Sequence, residues 1–106
     1  SERLAGTPLT LPTEEPGFSH CWYMYNVRAP RRDELVAFLE ARGIATAQHY
    51  RLPAHKQPAL APYGLSEVSL PETERAAQEI LILPCHPYIR EDQIEYVAEQ
   101  VRLFYE

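Results

Sequence analysis

The chain has 106 residues, a length that fits one domain with room for a single apolar core. Ten basic against fifteen acidic residues give a net charge of −5, with no basic cluster beyond Arg31–Arg32, which argues against a nucleic-acid backbone as partner. No apolar run reaches membrane-spanning length and no signal peptide is visible, so neither a membrane nor secretion is expected. The two cysteines, Cys21 and Cys85, do not make a disulfide framework. Both lie in apolar runs and read as small buried hydrophobes, which fits a reducing cytoplasm. The chain begins at Ser1 without an initiator methionine and reads as a fragment or a processed product.

Ser1–Gly6 reads as the tail of a helix closed by a glycine. Thr7–Gly17 is proline-rich, with Leu9 and Leu11 alternating, and suits only an edge strand. His20–Arg28, "HCWYMYNVR", is the clearest strand, aromatic and bounded by Pro16–Gly17 and Pro30. Arg31–Arg42 is expected as a helix whose Leu35, Phe38 and Leu39 share a face, with Gly43 placed for a left-handed cap. Ala45–Tyr50 reads as a weakly apolar second strand.

Gln57–Gly64 is expected as a proline-bounded turn or single helical turn. Ser69–Leu81 reads as a helix, with Ser69 and Glu72 at capping-box spacing and Pro71 in the first turn. Ile80–Leu83, stopped by Pro84, suits a short buried strand. Glu91–Tyr105 is the most periodic helix, with Ile94, Val97, Ala98, Val101 and Phe104 on one stripe. This order predicts an α+β fold: a small, three- to four-stranded, mainly antiparallel sheet with helices packed on one face. Trp22 or Tyr23 is expected on the core side.

The chemistry-bearing residues support few reactions. Cys21, His20, His49, His55, Cys85 and His86 lack metal-ligand spacing, and neighbours on a strand point to opposite faces. The same geometry disfavours a Cys–His dyad. Four glycines leave no phosphate-cradling loop. One dense stretch remains, "HYRLPAHKQP", at residues 49–58. It places two imidazoles, a phenol, an ammonium and an amide after a strand end, stiffened by Pro53 and Pro58. Its composition suits equally a ligand-presenting loop and a surface loop with scattered polar groups.

The pattern His49-Tyr50-x-x-Pro53-x-His55-x-Gln57-Pro58 resembles a segment of the DegT/DnrJ/StrS-type sugar aminotransferases. "HCWYMYNVR", "RRDELVAFLEARGIAT", "LPETERAAQEILILPCHP" with its Pro-x-x-Glu start, and "REDQIEYVAEQVRLF" resemble further family segments in the right order. Together they cover nearly the whole chain. The resemblance implies a pyridoxal-phosphate enzyme of aspartate-aminotransferase fold that aminates nucleotide-linked keto-sugars. It also implies that residues 1–106 are its C-terminal small domain, with 1–6 the end of the interdomain helix. The implied partners are an N-terminal large domain, a nucleotide-sugar, an amino-acid donor and a second subunit in a homodimer.

By the same resemblance, His49, Tyr50, His55 and Gln57 are substrate-binding residues, while catalytic and cofactor-binding residues belong to the large domain. His49 and Tyr50 would face the pocket; His55 and Gln57 would shape the loop or touch the nucleotide-sugar; His86 would be structural. The single lysine, Lys56, does not lie in the family's catalytic-lysine context. No cofactor is therefore expected on this chain alone, and it is expected to be inactive by itself. The sequence departs from the family at Ala54, where leucine is frequent, and Arg51 reads as a solvated arginine. The rival readings are a free-standing α+β metabolite-binding or regulatory module and an excised domain without independent activity. A coding sequence with about 250 further upstream residues would favour the aminotransferase.

Overall fold

The computed structural model describes residues 1–106. Its elements are β1 (Tyr25–Arg28), α1 (Arg32–Glu40), α2 (Pro71–Glu79), β2 (Ile80–Leu83) and α3 (Glu91–Tyr105), with 3₁₀ turns at Glu2–Leu4, Ala54–Lys56, Pro58–Tyr63 and Leu65–Glu67. The fold is α+β. Its sheet has two strands, β1 and β2, paired antiparallel with Val27 opposite Leu81 and Tyr25 opposite Leu83. The expected three- to four-stranded sheet is thus not borne out.

The two segments expected as further strands reach the sheet at one point each. Thr10 bridges Arg28 on the outer edge of β1, and Ala47 bridges Ile82 on the outer edge of β2. Thr10 exchanges both backbone hydrogen bonds with Arg28. The next residues that would bond in that direction are Pro8 and Pro12, and Pro8 and Pro12 have no N–H to give. Ala47 likewise exchanges both bonds with Ile82. Pairing cannot extend toward Pro84, which lacks a donor, and the chain turns away after Gln48. β1 is also shorter than the expected His20–Arg28, its last pair with β2 being Tyr25–Leu83. With β2 ended at Leu83, the residues before Tyr25 have no partner strand, and Trp22 adopts a left-handed backbone with φ of 49°.

One face of the sheet carries Val27, Leu81 and Leu83, all buried, with Tyr25 half-buried beside them. Leu35, Val36 and Leu39 of α1 and Ala98 and Val101 of α3 close over that face, joined by Leu4, Leu9, Ala29 and Ile44. Leu35, Leu39, Leu81 and Val101 have no solvent exposure at all. Gly43, with φ of 75°, turns the chain after α1 so that Ile44 drops back into the core. The expected α3 stripe is met at Ala98 and Val101, half-buried at Val97 and Phe104, and exposed at Ile94. Ile94 belongs to the first turn, which runs past the sheet.

α2 contributes no side chain to this core. It is tied in by Arg32, a buried arginine whose Nη1 donates to the carbonyls of Ala77 and Ile80 while Nε donates to Asp33. The expected Ser69–Glu72 capping box does not form, because the helix starts at Pro71 and Ser69 lies one residue too early. At the other end, Gln93 caps α3 by accepting the Arg90 N–H. The N-terminal turn is laced to α3 by Arg3, which donates to Glu91 and Glu95, and by Arg102, which donates to the Arg3 carbonyl. Tyr105 Oη donates to the Pro30 carbonyl, and its burial pushes the hydroxyl up to about 12.

Two further expectations need correcting. Cys21 is exposed and Cys85 is half-buried, both as free thiols. Cys21 misses the core because its segment is not a strand and has no sheet face to turn inward. For the same reason Tyr23 is 82% exposed and Trp22 is half-buried outside the core cluster.

Candidate functional site

After Ala47 has bridged to β2, the chain leaves the sheet edge and presents His49 and Tyr50. Their rings stack with centroids 5.1 Å apart, and neither side chain has a hydrogen-bond partner within the chain. Both are exposed, Tyr50 at 72%. A phenol and an imidazole left open in this way can each donate and accept toward a ligand.

The residues that follow are fixed. His55 is 8% exposed, and its Nε2 donates to Glu74 Oε1 of α2 at 2.9 Å. The same carboxylate accepts the Leu70 N–H at 3.2 Å and lies 3.8 Å from Lys56 Nζ. The His55 hydrogen bond, then the Leu70 amide, hold Glu74 below the usual glutamate range against the opposing effect of desolvation. Lys56 Nζ donates to the Ser66 carbonyl at 2.7 Å, and Gln57 Nε2 donates to the Leu52 carbonyl at 2.9 Å. Arg51, expected as a solvated arginine, pairs with Asp33 at the start of α1 while staying more than half exposed.

The four residues singled out from the sequence thus fall into two pairs. His49 and Tyr50 point their polar atoms outward; His55 and Gln57 spend theirs holding the loop. Glu74 received no role from the sequence, although the Pro71-x-x-Glu74 spacing was its one signal.

Lys56 decides what this chain can do with pyridoxal phosphate. A transaminase needs a lysine free to bond the cofactor, an acid beside the pyridine nitrogen and a phosphate cup. The only lysine here is engaged by Ser66 and Glu74, and none of the main surface grooves is lined by it. The residues of this chain do not fit the cofactor as a complete site. No group of three or more His, Cys, Asp or Glu side chains converges as a metal site would need. A groove of about 480 Å³ runs between the N-terminal turn, Trp22, Tyr25 and α3. His49, Tyr50, His55 and Gln57 lie outside it.

The model of the DegT/DnrJ/EryC1/StrS aminotransferase family matches residues 1–102. The chain belongs to that family. It is 46% identical over 104 residues to a "Pleiotropic regulatory protein" of Geobacillus stearothermophilus, covering 98% of this chain and 28% of that protein. It is 42% identical over 100 residues to a dTDP-3-amino-3,4,6-trideoxy-alpha-D-glucose transaminase of Streptomyces venezuelae, covering 93% of this chain and 26% of that protein. Its fold superposes on S. venezuelae DesV, solved in complex with a ketimine intermediate, with a TM-score of 0.90 at 40% identity, covering 99% of this chain and 29% of that one. A Brucella abortus DegT/DnrJ/EryC1/StrS aminotransferase gives a TM-score of 0.86 at 32% identity, over 98% of this chain and 28% of that one. The family member described here therefore spans little more than a quarter of the length of these relatives.

Proposed function

We propose that residues 1–106 are the C-terminal small domain of a pyridoxal-phosphate-dependent aminotransferase acting on nucleotide-linked keto-sugars. In this reading His49 and Tyr50 are part of the active-site wall. The floor of the site, with the cofactor lysine, the pyridine partner and the phosphate contacts, belongs to a large domain outside this chain. The amino donor is an amino acid, and the working enzyme is a cytoplasmic homodimer.

The observation that carries the reading is the division within residues 49–57. Two aromatic polar side chains stand open and unpartnered, on a segment whose every other polar group is used to hold it still. Such a construction loses conformational entropy in advance of ligand binding and leaves the donors and acceptors of His49 and Tyr50 unspent. The surrounding surface agrees with a wall that is covered in the whole protein. Phe18, Tyr23, Tyr50 and Tyr63 are each largely exposed, more aromatic surface than a self-sufficient small domain ordinarily shows.

The test uses the full-length protein that contains this chain. His49→Ala and Tyr50→Phe are expected to lower kcat/KM for a dTDP-linked keto-sugar by roughly 10- to 100-fold while leaving the visible absorbance of the bound cofactor in place. Wild-type rates in both variants would make the pair scaffolding. A full-length protein that binds the nucleotide-sugar without aminating it would hand the case to the metabolite-binding module.

A further inference from the structure

Two acidic groups outside the 49–67 segment bond to it: Asp33 pairs with the more than half exposed Arg51 at its start, and Glu74 of α2 takes the buried His55. Glu74 Oε1 gathers His55 Nε2 at 2.9 Å, the Leu70 amide at 3.2 Å and Lys56 Nζ at 3.8 Å. His55 is the only buried residue between Ile44 and Ala77. No apolar side chain of that stretch is buried, so packing alone does not hold it. The polar contacts do, and two of them meet at one oxygen: His55 and Lys56, which face Glu74 Oε1, belong to one 3₁₀ turn, and Lys56 reaches on to Ser66 in another. Glu74 in turn sits on α2, which runs without a break into β2. β2 is the strand that holds Ala47, two residues before His49. The segment carrying His49 and Tyr50 is thus pinned at both ends to one rigid unit, by the Ala47–Ile82 bridge before it and by Glu74 after it.

We propose that Glu74 is a positioning residue: by accepting from His55 and the Leu70 amide it fixes the 50–67 loop on α2 and so sets where His49 and Tyr50 stand toward substrate. The fastening follows from the contacts of this chain; the consequence for substrate rests on the function proposed above. Glu74 touches no reacting atom and acts through the loop alone.

Two measurements separate these halves, both on the full-length protein. Trypsin cuts after Arg51 and Lys56 report loop opening, with the cut after Arg102 in α3 as the internal standard for global unfolding. Glu74→Ala is expected to speed the Arg51 and Lys56 cuts about tenfold relative to the Arg102 cut, because a local opening loses its polar anchor. Glu74→Gln, which keeps an acceptor oxygen, should restore protection to within about threefold. In the second measurement, Glu74→Ala should raise KM for a dTDP-linked keto-sugar about tenfold, with a smaller change in kcat and none in cofactor absorbance, and Glu74→Gln should recover most of the loss. Unchanged loop cleavage in Glu74→Ala overturns the fastening, whatever the kinetics. A loosened loop with wild-type KM overturns the positioning role. If the wild-type protein aminates no keto-sugar, the function proposed above fails, and the cleavage ratio still decides whether Glu74 holds the loop.

Discussion

The half of the molecule built from β1, β2, α1 and α3 and the half that runs from Gln48 to Leu70 are held together by different forces. In the first, Leu35, Leu39, Leu81 and Val101 are wholly removed from water and pack on one sheet face. In the second, nothing apolar is buried; His55 alone is, and a few side-chain hydrogen bonds, to Glu74 and to the carbonyls of Ser66 and Leu52, tie down its short 3₁₀ turns. Burial is non-directional and shared among many residues, whereas the loop depends on single atoms in single places. The first half supplies rigidity. The second uses it to hold open groups that a packed core would have consumed.

The sharpest way to break this contrast is a charge in the first half. Val101→Asp puts a carboxylate where there is neither water nor a partner, and should cost about 4 kcal/mol or more, enough to abolish cooperative unfolding of the 106-residue chain. Circular dichroism through a urea titration reads it. A folded, cooperative variant would mean that α3 is not part of the core.

Next comes Arg32, the one buried polar residue of the apolar half. Its guanidinium is buried and serves the Ala77 and Ile80 carbonyls at the junction of α2 and β2. Arg32→Ala leaves both without a donor and should cost about 3 kcal/mol in the same titration. A loss near zero would show that water replaces the side chain and that the junction is not dry.

The difference between the halves also governs what could be read from the sequence. Glu91–Tyr105 was predicted to the residue, because a 3.6-residue stripe against one core leaves little choice. Ile80–Leu83 was equally legible as four aliphatics stopped by proline. The extra strands were not. Whether Thr10 and Ala47 begin strands or make single bridges depends on which backbone positions face the neighbour, and that turned on Pro8, Pro12 and Pro84 occupying the next donor positions. In the loop, the residue types of 49–57 marked it as unusual, but sorting His49 and Tyr50 from His55 and Gln57 required their partners. Glu74 and Leu52 lie 19 and 5 residues away from His55 and Gln57, with nothing in the local pattern to link them.

A smaller effect should appear on acidification. Glu34, Glu74, Asp92 and Glu95 are each held below their ordinary values, chiefly by side-chain hydrogen bonds from Arg31, His55, Arg90 and Arg102 respectively. A carboxyl lowered by folding contributes its stability in full above the unfolded value and loses it as pH falls through the folded one. For the glutamates that loss sets in below the ordinary value of 4.5. Urea midpoints should therefore be flat from neutral pH to about 5 and fall below that. Glu74→Gln should flatten part of the fall, and the loop amides between Leu52 and Leu70 should lose hydrogen-exchange protection before those of α3. Simultaneous loss would mean that the two halves unfold as one unit.

The smallest effect on stability belongs to Tyr50, and its smallness is informative. The ring is exposed, stacks only on its neighbour His49, and offers its hydroxyl to no atom of the chain. Tyr50→Ser should change the unfolding free energy of residues 1–106 by no more than about 0.5 kcal/mol, as exposed substitutions usually do. An aromatic ring of this size would ordinarily be kept for the surface it buries. Here most of it stays exposed, as the proposed role in an active-site wall requires. If the same variant is neutral for stability and still lowers keto-sugar turnover in the full-length protein, the open half of the molecule exists for ligand and the closed half for fold. A loss of stability as large as that of Arg32→Ala would show instead that Tyr50 is packed in solution, and the distinction between the two halves would no longer run through residue 48.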